Sequence, residues 1–218
     1  MSESIDQRRE RVRTIIALLR KEYPEAQCSL RFSNALELLV ATILSAQCTD
    51  ARVNMVTPTL FEKYTGPEDY VSVSQEELAE DIRSTGFFNQ KSQTIRNCCL
   101  ELLEKYNGEV PRTMDELTSL LGVGRKTANV LLGNVFDTPG IVVDTHVKRL
   151  AERLSLSQQS NPDKIETDLN AVVEQREWIH FSHLLIDHGR KTCQARKPKC
   201  GECSIAHLCP SAETPLTK

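Results

Sequence analysis

A lysine stands two residues past a pair of glycines in Gly122-Val123-Gly124-Arg125-Lys126, and an aspartate follows in Val143-Asp144-Thr145-His146. Two glycines spaced by one residue let a chain reverse and let a foreign backbone come close. A helix that starts at Arg125 has unpartnered N–H groups in its first turn, and its dipole favours an anion there. A phosphate of a nucleic-acid backbone suits such a place. Lys126 in that turn sets an amine, a potential nucleophile, beside the anion. Asp144 can cap a helix and can stabilise positive charge as it develops.

A second group with chemistry is Cys193, Cys200, Cys203 and Cys209, spaced C-x6-C-x2-C-x5-C and followed by Pro210. Four thiolates this close suit one metal centre, and spacing alone leaves zinc and an iron–sulfur cubane both open. Residues 1–13 are charged and hold no apolar run of the secretory kind, so disulfides are not expected. The first loop of the tail holds Arg196, Lys197 and Lys199. With Arg190 and Lys191 it forms a basic stretch, uninterrupted by acid, that can neutralise phosphates. Cys28, Cys48, Cys98 and Cys99 fall at mostly apolar positions and read as core.

The elements that must position these groups are helices. Val12, Ile15, Ile16 and Leu19 mark a first helix that Pro24 stops. Leu36, Leu39, Val40, Ile43 and Leu44 mark a second, capped by Ser33 or Asn34, apolar enough to be central. Asp50 is expected to cap a third, through Tyr64. Ser74-x-x-Glu77 opens a fourth that Gly86 closes. Asn89 is expected to cap a fifth, with Ile95, Cys98, Cys99, Leu102 and Tyr106 inward, ended by Asn107-Gly108. Thr113-x-x-Glu116 opens the helix before the glycine hairpin. Asp144 caps the one after it, Asn161-Pro162 opens another, and a last runs from Trp178 to Gly189. No run of period-two alternation marks a strand, so the class is all-α.

The hairpin's second helix, about eleven residues long, spans roughly 16 Å. Asp137-Thr138-Pro139-Gly140 then turns, and Ile141 to Val143 reads as a buried extended return. That path brings Asp144 back toward the level of Lys126. Two further connections stand out. Ser45 to Asp50 is a polar break after the most apolar helix, and Thr85-Gly86-Phe87-Phe88-Asn89 puts two aromatics in a loop. The Phe pair either packs inward or offers a wedge for a base stack, and Gln47 either ends a helix or fills the place of an extruded base.

The 218 residues are 39% hydrophobic and 26% charged, with a net charge of −3. Bulk charge therefore does not announce a nucleic-acid binder, and local patches must carry any such function. No run has the length of a membrane span. No segment reads as an association face, so a monomer is expected.

Leu120-Leu121-Gly122-Val123-Gly124-Arg125-Lys126-Thr127-Ala128 resembles the helix-hairpin-helix of the endonuclease III family, and Val143-Asp144-Thr145-His146-Val147 resembles its catalytic Asp motif. The cysteine tail resembles its [4Fe–4S] loop. Leu44 to Asp50 and Gly86 to Asn89 resemble its two lesion-site loops. The likeness covers nearly the whole chain, in order; Leu121 departs from it, standing where the family usually has proline.

The resemblance implies a two-domain helix-hairpin-helix glycosylase fold. Residues 28–138 would form a six-helix barrel, residues 1–27 and 139–218 a discontinuous [4Fe–4S] cluster domain, with DNA between them. It implies a bifunctional DNA glycosylase and abasic-site lyase that excises oxidised pyrimidines from duplex DNA in base excision repair. Its place would be the cytoplasm, at the nucleoid. Lys126 and Asp144 would be catalytic. Gln47, Phe87, Gly122, Val123, Gly124, Arg125, Thr127, His146, Arg196, Lys197 and Lys199 would meet DNA, and the four cysteines would bind the cluster. An ordinary lysine has a pKa of about 10.4, and a helix dipole lowers that by roughly one unit at most, so Lys126 needs desolvation as well. The alternatives are a glycosylase for a mismatched thymine or adenine, an alkylated purine or a pyrimidine dimer, and a non-catalytic metal-containing DNA-binding protein. The adenine-mispair branch generally lacks the hairpin lysine.

Overall fold

The structure is a computed structural model, and it describes residues 3–212. These are helical throughout, with no strand among them. None of the helices is long and apolar enough to cross a membrane. The chain divides into two compact units, one from Cys28 to Thr138, the other combining the chain before Cys28 with the chain from Pro139 onward.

The central unit holds seven α-helices among its described residues. They are α2 (Ala35–Leu44), α3 (Asp50–Lys63), α4 (Pro67–Ser72), α5 (Gln75–Asp81), α6 (Phe88–Tyr106), α7 (Met114–Ser119) and α8 (Arg125–Val135). The segment α2 is the hub, because Leu38, Leu39, Val40, Ala41, Ile43 and Leu44 are all buried, and it packs on α3, α6 and α8. Its cap is Asn34, whose side chain accepts from Glu37 N. Such a cap is worth about 1 kcal/mol.

Two caps differ from the sequence reading, and one helix was not foreseen. Thr49, not Asp50, caps α3, its hydroxyl accepting from Arg52 N. The unforeseen α4 starts at Pro67, which needs no N–H in a first turn, and Asp69 accepts from the N–H groups of Thr65 and Gly66. The fifth helix of the sequence reading, here α6, has no side-chain cap: its N-cap is Phe87 in left-handed backbone, and Asn89 lies inside the helix. The stretch from Ser74 to Gly86 is α5 followed by a short 3-10 turn, Arg83–Thr85. Cys98 and Cys99 are buried in this core, and burial pushes the Cys98 thiol up to about 12.

The other unit is built on α1 (Ile5–Glu22), α9 (Thr145–Arg153), α10 (Pro162–Val172) and α11 (Trp178–Lys191). The first helix packs on α10 and α11, and α9 packs on α10 and α11. Val12, Ile15, Ile16 and Leu19 meet Val147, Leu150, Ile165, Leu169 and Phe181 in one core. Ile141 and Val143 are buried in it, and Val142 N donates to Ser182 Oγ at 3.0 Å. This extended stretch fixes the backbone that delivers Asp144.

Candidate DNA-repair site

The hairpin closes by a bond from Val123 N to Leu120 O at 3.1 Å, with the Val123 side chain buried in the core. Val123 therefore anchors the hairpin, and its own N–H is spent. Gly122 has φ of +81°, and a Cβ there would collide with Thr94 of α6, so only glycine fits. Gly124 is different: its φ is −91° and a Cβ would meet nothing within 4 Å. The protein itself does not demand glycine at 124, and the open space lies at the N-terminus of α8. No side chain caps that helix.

Arg125 and Lys126 are exposed in that first turn, and Thr127 is half-buried. The protein alone does not dry the Lys126 amine, contrary to the desolvation expected of it.

Asp144 is the N-cap of α9. Its Oδ1 accepts from His146 N and Val147 N, each at 2.8 Å, leaving Oδ2 outside the cap. His146 is half-buried beside Gly189, and its Nδ1 lies 3.2 Å from Arg149 Nη2. Burial lowers the His146 pKa, and the Arg149 and Arg190 charges act in the same direction against Asp144.

The two loops of the central unit both turn through left-handed residues. Gln47 has φ of +52° and is exposed; Phe87 has φ of +48° and is 59% exposed. The Phe pair splits, with Phe88 packing against the core while Phe87 stands out.

In the tail, Cys193, Cys200, Cys203 and Cys209 line one hollow with Leu150, Leu154, Ile205 and Ala206. No three His, Cys, Asp or Glu side chains among the described residues close on a single-ion site. The thiols share the hollow's wall. A cubane takes one thiolate on each of four irons, so a ring of thiols around an apolar space fits it. Burial pushes the Cys203 thiol up to about 11, so cluster assembly there releases a proton. Arg149 and Arg153 of α9, which the sequence reading missed, hold the loop. Arg149 Nη2 donates to Cys193 O at 3.0 Å. Arg153 donates to Gln194 O and Ala195 O at 2.9 Å and lies 3.1 Å from Cys193 Sγ. Arg196, Lys197 and Lys199 remain exposed on that loop.

A family model described as HhH-GPD superfamily base excision DNA repair protein matches residues 40–175, and one for the iron–sulfur binding domain of endonuclease III matches residues 193–209. The second match begins and ends on the outer two of the four cysteines. Endonuclease III of Synechocystis is 50% identical over 94% of this chain and 94% of its own. The chain belongs to the endonuclease III family. Endonuclease III of Bacillus subtilis is 47% identical over 86% of both chains. A solved endonuclease III trapped as a covalent intermediate with DNA, in an estranged-adenine complex, superposes with a TM-score of 0.90 at 45% identity, covering 94% of this chain and 97% of that one. Membership in the endonuclease III family makes a [4Fe–4S] cluster the cofactor of the tail, closing the choice that spacing left between zinc and iron.

Proposed function

We propose that this chain is a bifunctional DNA glycosylase and abasic-site lyase that removes oxidised pyrimidines from duplex DNA. The observation that carries the reading is the lysine in the first turn of α8, next to an open glycine and a helix N-terminus suited to a phosphate. A base inside a stack is out of reach, so it is flipped out at a cost of a few kcal/mol. Phe87 enters the stack, and Gln47 fills the vacated place. First-turn N–H groups of α8 hold the sugar-phosphate chain, with Arg125 and Thr127 beside them.

The Lys126 amine, dried by docked DNA, attacks the sugar C1′ and the base leaves with its bonding electrons. The nitrogen gives up a proton, the C1′–O4′ bond breaks with its electron pair going to O4′, which takes up a proton to become a hydroxyl, and the nitrogen lone pair forms the iminium with C1′. That iminium acidifies the C2′ protons, and removal of one expels the 3′ phosphate by β-elimination. Asp144 stabilises the positive charge at C1′ and takes part in activating the amine. His146, in the first turn of the helix that Asp144 caps, meets the same stretch of DNA. Cys193, Cys200, Cys203 and Cys209 hold the cluster, which when bound gives the tail its shape. Arg196, Lys197 and Lys199 then meet phosphates. The enzyme acts as a monomer on DNA at the nucleoid, in the cytoplasm.

Borohydride trapping on duplex DNA with an abasic site tests this. Wild type should give a covalent adduct and Lys126→Ala none, with DNA binding retained. Binding without any adduct in the wild type would leave a non-catalytic DNA-binding protein. Duplexes bearing thymine mismatches, alkylated purines or pyrimidine dimers, scored beside oxidised pyrimidines, test the substrate.

A further inference from the structure

Lys91 is a buried cation to which the mechanism assigns no work. It is 5% exposed, on α6. Its ammonium donates to Leu44 O at 2.8 Å and to Thr85 O at 2.8 Å. Its own backbone N–H donates to Phe87 O at 2.9 Å. Leu44 is the last residue of α2, and the polar break with Gln47 begins just after it. Thr85 is the last residue of the 3-10 turn, and Gly86-Phe87 follows at once. One side chain thus binds the carbonyls at the roots of both tips.

Burying an ammonium is costly, and an apolar residue of similar size would fill the same space without that penalty. Burial indeed holds the Lys91 pKa below the ordinary lysine range. What an apolar residue could not do is satisfy two carbonyls at the ends of two helical segments, where a cation also suits the dipoles. Both tips need such support, because Gln47 and Phe87 are non-glycine residues in left-handed backbone, a state that persists only when the surroundings over-determine it.

We propose that Lys91 is a positioning residue that clamps the two tips together, so that Phe87 and Gln47 meet the duplex as one preset pair. This rests on the reading above in giving those tips to DNA. The clamp itself is a property of the free protein.

The test uses Lys91→Met, which keeps the bulk of the stem and removes the donors. Backbone amide exchange in the DNA-free protein should quicken in residues 45–50 and in 85–89 together, by at least about tenfold, with the interiors of α2 and α6 unchanged. Unchanged exchange in either tip overturns the proposal. Excision from a duplex should slow by at least about tenfold, while β-elimination at an abasic site in single-stranded DNA, where nothing is unstacked, stays within about twofold. Equal loss of both activities at a normal melting temperature also overturns it. If Gln47→Ala and Phe87→Ala leave excision unaltered, the DNA role of the tips falls, and the exchange result still decides whether Lys91 clamps them. Lys91→Gln, which keeps a shorter donor, replaces Lys91→Met in both arms should the latter melt too low.

Discussion

The backbone N–H of Leu121 donates to Glu101 Oε2 at 2.7 Å, tying the entry of the glycine hairpin to α6. Lys105 holds the other oxygen of Glu101 at 2.7 Å, and both bonds keep the Glu101 carboxyl below the usual carboxylate range, Lys105 acting most strongly. A proline at 121 would have no N–H to give. The departure of Leu121 from the family pattern is therefore used: a side-chain bond supplies the restraint that a ring would. Leu120, at φ −76° and ψ 141°, already has the extended backbone a following proline requires.

A double-mutant cycle follows from that bond. Glu101→Ala should weaken binding to abasic-site DNA by about three- to tenfold, the scale of one partly exposed charge-assisted bond. Leu121→Pro should bind within about twofold of wild type, since the ring fixes φ. In the Leu121→Pro background, Glu101→Ala should have no further effect. Fluorescence anisotropy with a labelled duplex reads all four proteins, and additive losses would refute the coupling.

The two hairpin glycines should separate under alanine substitution. Gly122→Ala forces a β-carbon into left-handed backbone and into Thr94, so the melting temperature should fall, with a loss of about 2 kcal/mol or more. Gly124→Ala meets nothing in the protein and should melt like wild type. Its new methyl occupies the space at the start of α8, so DNA affinity should drop on its account alone. Thermal melts paired with binding isotherms check both halves.

The helical class, most helix ends and the cysteine tail that holds the cluster were legible because they rest on local rules. Asn34, Asp144 and Asn161 cap as side chains of their type do, and Gly122 sits where only glycine can. The cap of α3 was misread because Thr49 and Asp50, both eligible, stand side by side, and that of α6 because the helix starts at Phe88, which packs against the core, before Asn89 is reached. Phe87 and Phe88 could not be told apart by composition; the left-handed turn at Phe87 leaves it outside α6 and exposed, while Phe88 opens the helix and packs on the core. Lys91 was missed although a signal exists. It lies on the apolar stripe with Ile95, Cys98 and Leu102, where a lysine must be paired. Which carbonyls pair it depends on segments distant in sequence, and so do the bonds from Arg149 and Arg153 to the cysteine loop.

Asp144 caps α9, and the proposed mechanism gives it a second job that substitution can divide from the first. Asn caps as well as Asp, so Asp144→Asn should keep the bonds to His146 N and Val147 N and melt near wild type. Asp144→Ala should lose about 1 kcal/mol, the ordinary cost of a missing cap. Both should lose at least about a hundredfold in base excision, because the charge that the proposed mechanism sets against C1′ is gone in each. Single-turnover excision beside thermal melts separates cap from charge, and full activity in Asp144→Asn would remove the carboxylate from the mechanism.

The tail should reveal itself through salt. Arg196, Lys197 and Lys199 are exposed on the loop between Cys193 and Cys200, so each is free to neutralise one phosphate. Replacing all three by alanine should flatten the plot of log binding constant against log salt by roughly 2.7, at about 0.9 per phosphate contact. Arg153 pins the same loop through Gln194 O and Ala195 O. Cys200→Ser frees the loop's far end and should bleach the brown colour of the cluster. Its salt slope should then match that of the triple variant, because a loosened loop loses the fixed spacing that lets three cations meet three phosphates at once. A Cys200→Ser protein that is colourless yet keeps the wild-type slope would mean that the arginine clamp alone shapes the loop.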